Sequence, residues 1–114
     1  MEPYKKIIDI VIPCYNEEPN ILSLVTEIDR IMTNCKYRYK LIFVDDGSND
    51  NTYLKIQNLK KTRENIYLVK LSRNFGKEAA IAAGLRKCSS DAAIVIDSDL
   101  QHPPRFPPSG SDCK

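Results

Sequence analysis

Four short runs of apolar, largely β-branched residues punctuate the chain: Ile7–Ile12, Leu41–Val44, Ile66–Leu71 and Ala92–Ile96. Each run is continuous rather than alternating, which predicts strands covered on both faces. Between the runs the spacing of apolar positions changes. Ile21, Leu22, Val25, Ile28 and Met32 recur at steps of three and four and predict a helix, with Pro19 and Asn20 at its start. Thr52–Lys61 predicts a second helix, with Asp50 or Asn51 as its cap and Leu59 turned inward. Lys77–Lys87 predicts a third, kept slim by Ala79, Ala80, Ala82 and Ala83 so that it can pack closely on a sheet. Gly84 is tolerated there at a cost of ~1 kcal/mol against alanine.

The predicted order is β-α-β-α-β-α-β. Such alternation implies parallel strands joined by right-handed crossovers, an open α/β sheet with alternating helices. After Ile96 the pattern fails. The prolines of "PPRFPPSGSDCK" bar helix and central strand, so residues 105–114 read as an irregular tail.

Composition narrows the function classes. A length of 114 residues allows one domain at most. A net charge of +2 is too small to call for nucleic acid or a membrane surface. No stretch approaches the roughly 18 apolar residues of a membrane-spanning helix. The start, "MEPYKKIIDIVIPCYNEE", lacks the pattern of a signal peptide, so the chain as given reads as soluble and cytoplasmic. Cys14, Cys35, Cys88 and Cys113 share no C-x-x-C spacing, and His102 is the single histidine. These features argue against structural zinc and for free thiols.

The chemistry gathers after the strands. In open parallel sheets, ligands bind outside the carboxyl ends of the strands. Pro13-Cys14-Tyr15-Asn16-Glu17-Glu18 follows the first strand and Asp45-Asp46-Gly47-Ser48 the second. Ser72-Arg73-Asn74-Phe75-Gly76-Lys77 follows the third and Asp97-Ser98-Asp99-Leu100-Gln101-His102 the fourth. Acids in three converging loops repel one another unless something cationic sits among them. Asp97 and Asp99, two apart in extended backbone, face one way and suit Mg²⁺ or Mn²⁺; the same pattern also serves as turn or cap chemistry. Asp45 and Asp46 can accept hydrogen bonds from a base or a ribose, while Gly47 makes the turn. Glu17 suits a helix start as well as a site, and Tyr15 suits a planar base or the edge of a core. Arg73 and Lys77 are the cations that a diphosphate would want, or else exposed surface charges.

Taken in order, "VIPCYNEE", "IFVDDGSNDNT", "LSRNFGKEAAIAAGL" and "IVIDSDLQHPP" resemble the N-terminal part of family 2 glycosyltransferases. Within that family they are most similar to the polyisoprenyl-phosphate sugar transferases, such as dolichol-phosphate mannose synthases and bactoprenol glucosyltransferases. The four motifs span the chain from Ile7 to Pro104. The resemblance implies a GT-A fold, whose Rossmann-like sheet binds a nucleotide-sugar, with residues 1–104 as its nucleotide-sugar-binding half. It places Pro13, Tyr15 and Glu17 around the nucleoside and Asp45 or Asp46 on the base or ribose. Asp97 and Asp99 would hold Mg²⁺ or Mn²⁺ on the diphosphate, with Gln101 nearby, and Arg73 and Lys77 match an "RNxGK" segment. The implied reaction is an inverting transfer from a UDP- or GDP-sugar to a polyprenyl phosphate at the cytoplasmic face of a membrane. Full-length relatives have room for homo-oligomers, and nucleic acid is no partner.

The departures matter as much. Family members continue well beyond "DLQHPP", whereas here Arg105-Phe106-Pro107-Pro108 and a polar end follow, as in a truncated or frameshifted reading frame. The alternative to an active enzyme is therefore a nucleotide- or metal-binding remnant without turnover. A receiver-type signalling domain is excluded, because Asn16-Glu17 stands where an acidic pair should follow the first strand. A dinucleotide-binding domain is disfavoured, since no G-x-G-x-x-G follows the first strand.

Overall fold

The computed structural model describes residues 6–34 and 37–96. The expectations for Asp97, Asp99, Gln101, the tail 105–114, Cys35 and Cys113 therefore lie outside the described residues. Within them stand four strands, β1 (Ile7–Cys14), β2 (Arg38–Asp45), β3 (Ile66–Lys70) and β4 (Ala92–Val95). Three helices alternate with them, α1 (Ile21–Thr33), α2 (Thr52–Lys60) and α3 (Lys77–Arg86). A 3-10 turn, Glu18–Asn20, precedes α1 and was not anticipated.

The strands form one parallel sheet in the order β3-β2-β1-β4. β1 pairs with β2 from Ile7 opposite Arg38 to Cys14 opposite Asp45, and with β4 from Ile8 opposite Ala92. The order runs outward from β1 to β3 and then returns to the other side of β1, so the chain reverses between β1 and β4. In a parallel sheet the mouth of such a reversal is where ligands bind.

The period of two sorts the side chains of β1 and β2 between two faces. Ile10, Ile12, Leu41 and Phe43 form the larger core with Ile21, Leu24, Val25, Ile28 and Met32 of α1 and Ile56 of α2. Val11 and Val44 face the other way, onto Ala80 of α3. A β-carbon on Gly84 would lie 2.5 Å from Cγ1 of Val11 and 3.0 Å from Cγ2 of Val44. The glycine thus lets α3 approach the sheet more closely than alanine could.

Two details depart from the apolar pattern. Leu22 is 51% exposed, and Leu24 takes the inward place, because Ile21, Leu24, Val25 and Ile28 already fill the face that meets the sheet. β4 is not covered on both faces: Ala92, Ala93 and Val95 are exposed, since α3 packs over β1 and β2 instead. At the start of α2, Asn51 holds the cap position without a side-chain bond. Asp50 supplies it, accepting the Thr52 N–H at 3.0 Å.

Three carboxylates pin the frame. Buried Asp9 accepts the Ser89 N–H, the Ser90 N–H and the Ser90 hydroxyl, each at 3.0 Å, with Lys40 Nζ 3.7 Å away. Asp91 accepts the Ile7 N–H at 3.0 Å, so the entry to β4 is tied to β1 from both sides. Asp29 of α1 receives Arg63 in a bidentate pair, at 2.7 and 2.8 Å, and the Tyr39 hydroxyl at 2.6 Å. Burial pushes the Asp29 carboxyl up, but the Arg63 and Tyr39 bonds outweigh it and hold the group below its ordinary carboxylate value. A depressed folded value stabilises the fold above the unfolded carboxylate range near ~3.9 and is lost as pH falls through the folded value. Urea unfolding at descending pH should therefore show the advantage of wild type over Arg63→Ala shrinking below about pH 4. An advantage that stays constant down to low pH would remove Asp29 from the linkage.

Candidate functional site

At the carboxyl ends of the strands, three loops are laced together by polar bonds. The loop after β1 meets the loop after β2 through both backbones. The Asn16 N–H donates to Ser48 Oγ at 2.9 Å and the Glu17 N–H to Thr52 Oγ1 at 2.9 Å. In return, Asn16 Oδ1 accepts the Asn49 N–H at 2.7 Å, and Glu18 Oε1 accepts the Asn51 N–H at 3.2 Å. Asp50 accepts from the N–H and hydroxyl of Thr52 and, more weakly, from the Glu18 N–H. Its slight burial would raise the carboxyl, yet these donors hold it below its ordinary value.

The loop after β2 meets the loop after β3 through Asp46 and Gly47. Asp46 is 3% exposed; its Oδ1 accepts the Phe75 N–H at 2.8 Å and its Oδ2 the Gly76 N–H at 3.0 Å. It thereby places a carboxylate at the N-terminus of α3, where negative charge is favoured. Gly47 sits at φ +71, and a β-carbon there would lie 2.3 Å from the carbonyl carbon of Arg73 and 2.5 Å from the nitrogen of Asn74.

Asp45 differs from its neighbour. It is 1% exposed, and Oδ1 accepts the Ser48 N–H at 3.2 Å. Its Oδ2 is buried and has no hydrogen-bond partner among the described residues. A buried carboxylate oxygen left unpaired costs free energy unless a donor reaches it.

The remaining expected residues take distinct places. Pro13 is in β1, opposite Val44. Tyr15 is exposed, and its hydroxyl accepts from Asn49 Nδ2 at 3.4 Å. Glu17 is half-buried and accepts from Asn20 Nδ2 at 2.8 Å. The guanidinium of Arg73 stacks 4.8 Å from the ring centroid of Phe75, and Lys77 opens α3 as an exposed residue. So Tyr15, Glu17, Asp45, Asp46 and Arg73 are brought to one end of the sheet. Among the described residues no group of three His, Cys, Asp or Glu side chains is arranged to hold a metal ion. Asn16 and Thr52 were not singled out from the sequence. The one available signal was an asparagine just past a strand, a residue type that tolerates left-handed backbone.

Comparison with known proteins adds independent evidence. A model of glycosyl transferase family 2 matches residues 9–109. The undecaprenyl-phosphate 4-deoxy-4-formamido-L-arabinose transferase of Yersinia pestis bv. Antiqua (strain Angola) is 42% identical over 111 residues, covering 94% of this chain and 33% of its own. Among solved structures, the mannosyltransferase PcManGT from Pyrobaculum calidifontis, in complex with GDP-Man and Mn²⁺, superposes with a TM-score of 0.72 at 24% identity. That match covers 85% of this chain and 28% of the other. Glucosyl-3-phosphoglycerate synthase from Mycobacterium tuberculosis, in complex with Mn²⁺, UDP and glucosyl-3-phosphoglycerate, gives 0.64 at 27% identity, covering 82% of this chain and 34% of the other. The chain spans about 30% of the length of the curated relatives it matches.

Proposed function

The chain belongs to glycosyl transferase family 2, and from that membership we propose that it carries the donor half of an inverting transferase, moving sugar from a UDP- or GDP-sugar to a polyprenyl phosphate. The parallel sheet with alternating helices is the N-terminal part of a GT-A fold. The observation that carries the donor reading is the unpaired, buried Oδ2 of Asp45 at the mouth of the sheet. A base N–H or a ribose hydroxyl is the donor it lacks. Asp46, with both oxygens occupied by backbone N–H groups, instead holds two loops in register.

On this reading Pro13, Tyr15 and Glu17 border the nucleoside, and Arg73 and Lys77 turn toward the diphosphate. Asp97 and Asp99, with Gln101 nearby, are assigned to Mg²⁺ or Mn²⁺ from the sequence pattern. A bound ion would neutralise charge on the leaving nucleoside diphosphate. The acceptor is supported by the transferase relatives, whose names specify undecaprenyl phosphate. A lipid phosphate oxygen is already anionic near neutral pH, so it can attack the anomeric carbon without a strong general base. The nucleoside diphosphate departs from the opposite side and configuration inverts. Among the described residues no helix is long and apolar enough to cross a membrane. A place at the cytoplasmic face of a membrane is therefore proposed on the acceptor alone.

The alternative reading is a nucleotide- or metal-binding remnant without turnover. Calorimetric titration of the 114-residue chain with UDP- and GDP-sugars should show Mn²⁺-dependent binding of one of them, weakened by Asp99→Ala. No binding with the metal present would sink the donor reading. Transfer to polyprenyl phosphate by this chain alone would overturn the remnant.

A further inference from the structure

We propose that Asn16 is a positioning residue that preforms the nucleoside end of the site by locking the loop after β1 onto the loop after β2. The inference rests on the donor-site reading above and deepens it. Among the described residues Asn16 is the one non-glycine residue at positive φ, at 54°. That backbone is strained for most residues and least so for asparagine and aspartate. Glycine would adopt it more cheaply. What asparagine adds is a side-chain acceptor, and this one is used: Asn16 Oδ1 takes the Asn49 N–H at 2.7 Å and the Asp50 N–H at 3.4 Å.

From this clasp two short relays reach the groups assigned to the nucleoside. The Asn16 N–H donates to Ser48 Oγ at 2.9 Å, and the Ser48 N–H donates to Asp45 Oδ1 at 3.2 Å. That fixes the carboxylate whose other oxygen is unpaired. On the opposite side, Asn49, held by Asn16, donates through Nδ2 to the Tyr15 hydroxyl at 3.4 Å. Asn16 thus stands between an aromatic wall and an acceptor: its side chain holds the wall through Asn49, and its backbone N–H, aimed by the left-handed φ, holds the acceptor through Ser48. Holding two ligand groups in place before binding removes part of the ordering cost from the binding step.

The test compares wild type with Asn16→Gly and Asn16→Asp. Gly suits the backbone but lacks the acceptor; Asp keeps both, and high salt screens its added charge. Each is titrated with UDP and with GDP in the presence of Mn²⁺, well below its unfolding midpoint. Hydrogen exchange at the Asn49 and Asp50 amides is followed in parallel. Asn16→Gly should unfold within a few degrees of wild type, lose protection at those two amides and bind about tenfold more weakly. Asn16→Asp should stay within about threefold of wild type. Wild-type affinity in Asn16→Gly overturns the proposal, as does an Asn16→Asp that falls as far. An Asn16→Gly that unfolds far below wild type also overturns it, by making the clasp a matter of stability. Should wild type bind neither UDP nor GDP, the donor-site reading itself fails and this inference with it.

Discussion

Gly47→Ala is expected to destabilise the fold by about 2–5 kcal/mol, the sum of left-handed strain and overpacking at a site with no slack. At φ +71 the added β-carbon meets the Arg73 and Asn74 backbones at 2.3–2.7 Å, and backbone cannot swing aside as a flexible side chain can. A domain of this size holds roughly 5–15 kcal/mol in all, so the loss is a large fraction of the total. Thermal unfolding followed by circular dichroism should register a fall of roughly 10–25 °C. Gly76→Ala is the control, because Gly76 has φ +106 but nothing within 4 Å of the added carbon. It should show the strain without the collision and lose less. If the two variants fall equally, the close approach of the second and third loops is not what makes Gly47 necessary.

That contrast also marks how far the sequence could be read. The strands, the helices and their parallel alternation follow from period and β-branching, which are local properties of Ile7–Ile12, Leu41–Val44 and the residues between them. β1 and β2 run longer than their apolar runs, through Cys14 and from Arg38 to Asp45, because pairing continues after the apolar residues end. Leu22 fits the helical spacing yet faces solvent, since a helix has more apolar positions than its buried stripe can take. The site was legible as a set of loops that carry acids. The division of labour inside it was not. Whether Asp45 or Asp46 is occupied depends on the Phe75 and Gly76 N–H groups, about thirty residues away in sequence and brought near by the β3 crossover. Asn16 escaped notice for the same reason, because its role lies in partners at Ser48 and Asn49.

Asp45→Asn and Asp46→Asn should therefore have opposite consequences, although the residues are adjacent and similarly buried. At Asp45 the amide oxygen can still accept the Ser48 N–H, while an NH₂ replaces the unpaired Oδ2. Removing a half-satisfied buried charge should leave the urea midpoint unchanged or raise it. The same change sets a donor where a nucleoside donor would arrive. Losing a hydrogen bond to a charged group costs about 1.5–3 kcal/mol, or roughly 10- to 150-fold in affinity for UDP or GDP. At Asp46 both oxygens accept N–H groups, and an amide can accept only one while turning its own NH₂ against the other. Stability should fall by about 1–3 kcal/mol, and affinity measured below the unfolding midpoint should change little. Urea unfolding and nucleotide titration of the two variants side by side separate the roles. An Asp45→Asn that loses stability but keeps its affinity would return the carboxylate to the framework and leave the nucleoside acceptor to be found elsewhere. Gain of stability with loss of binding is the pattern expected of a group kept for its ligand.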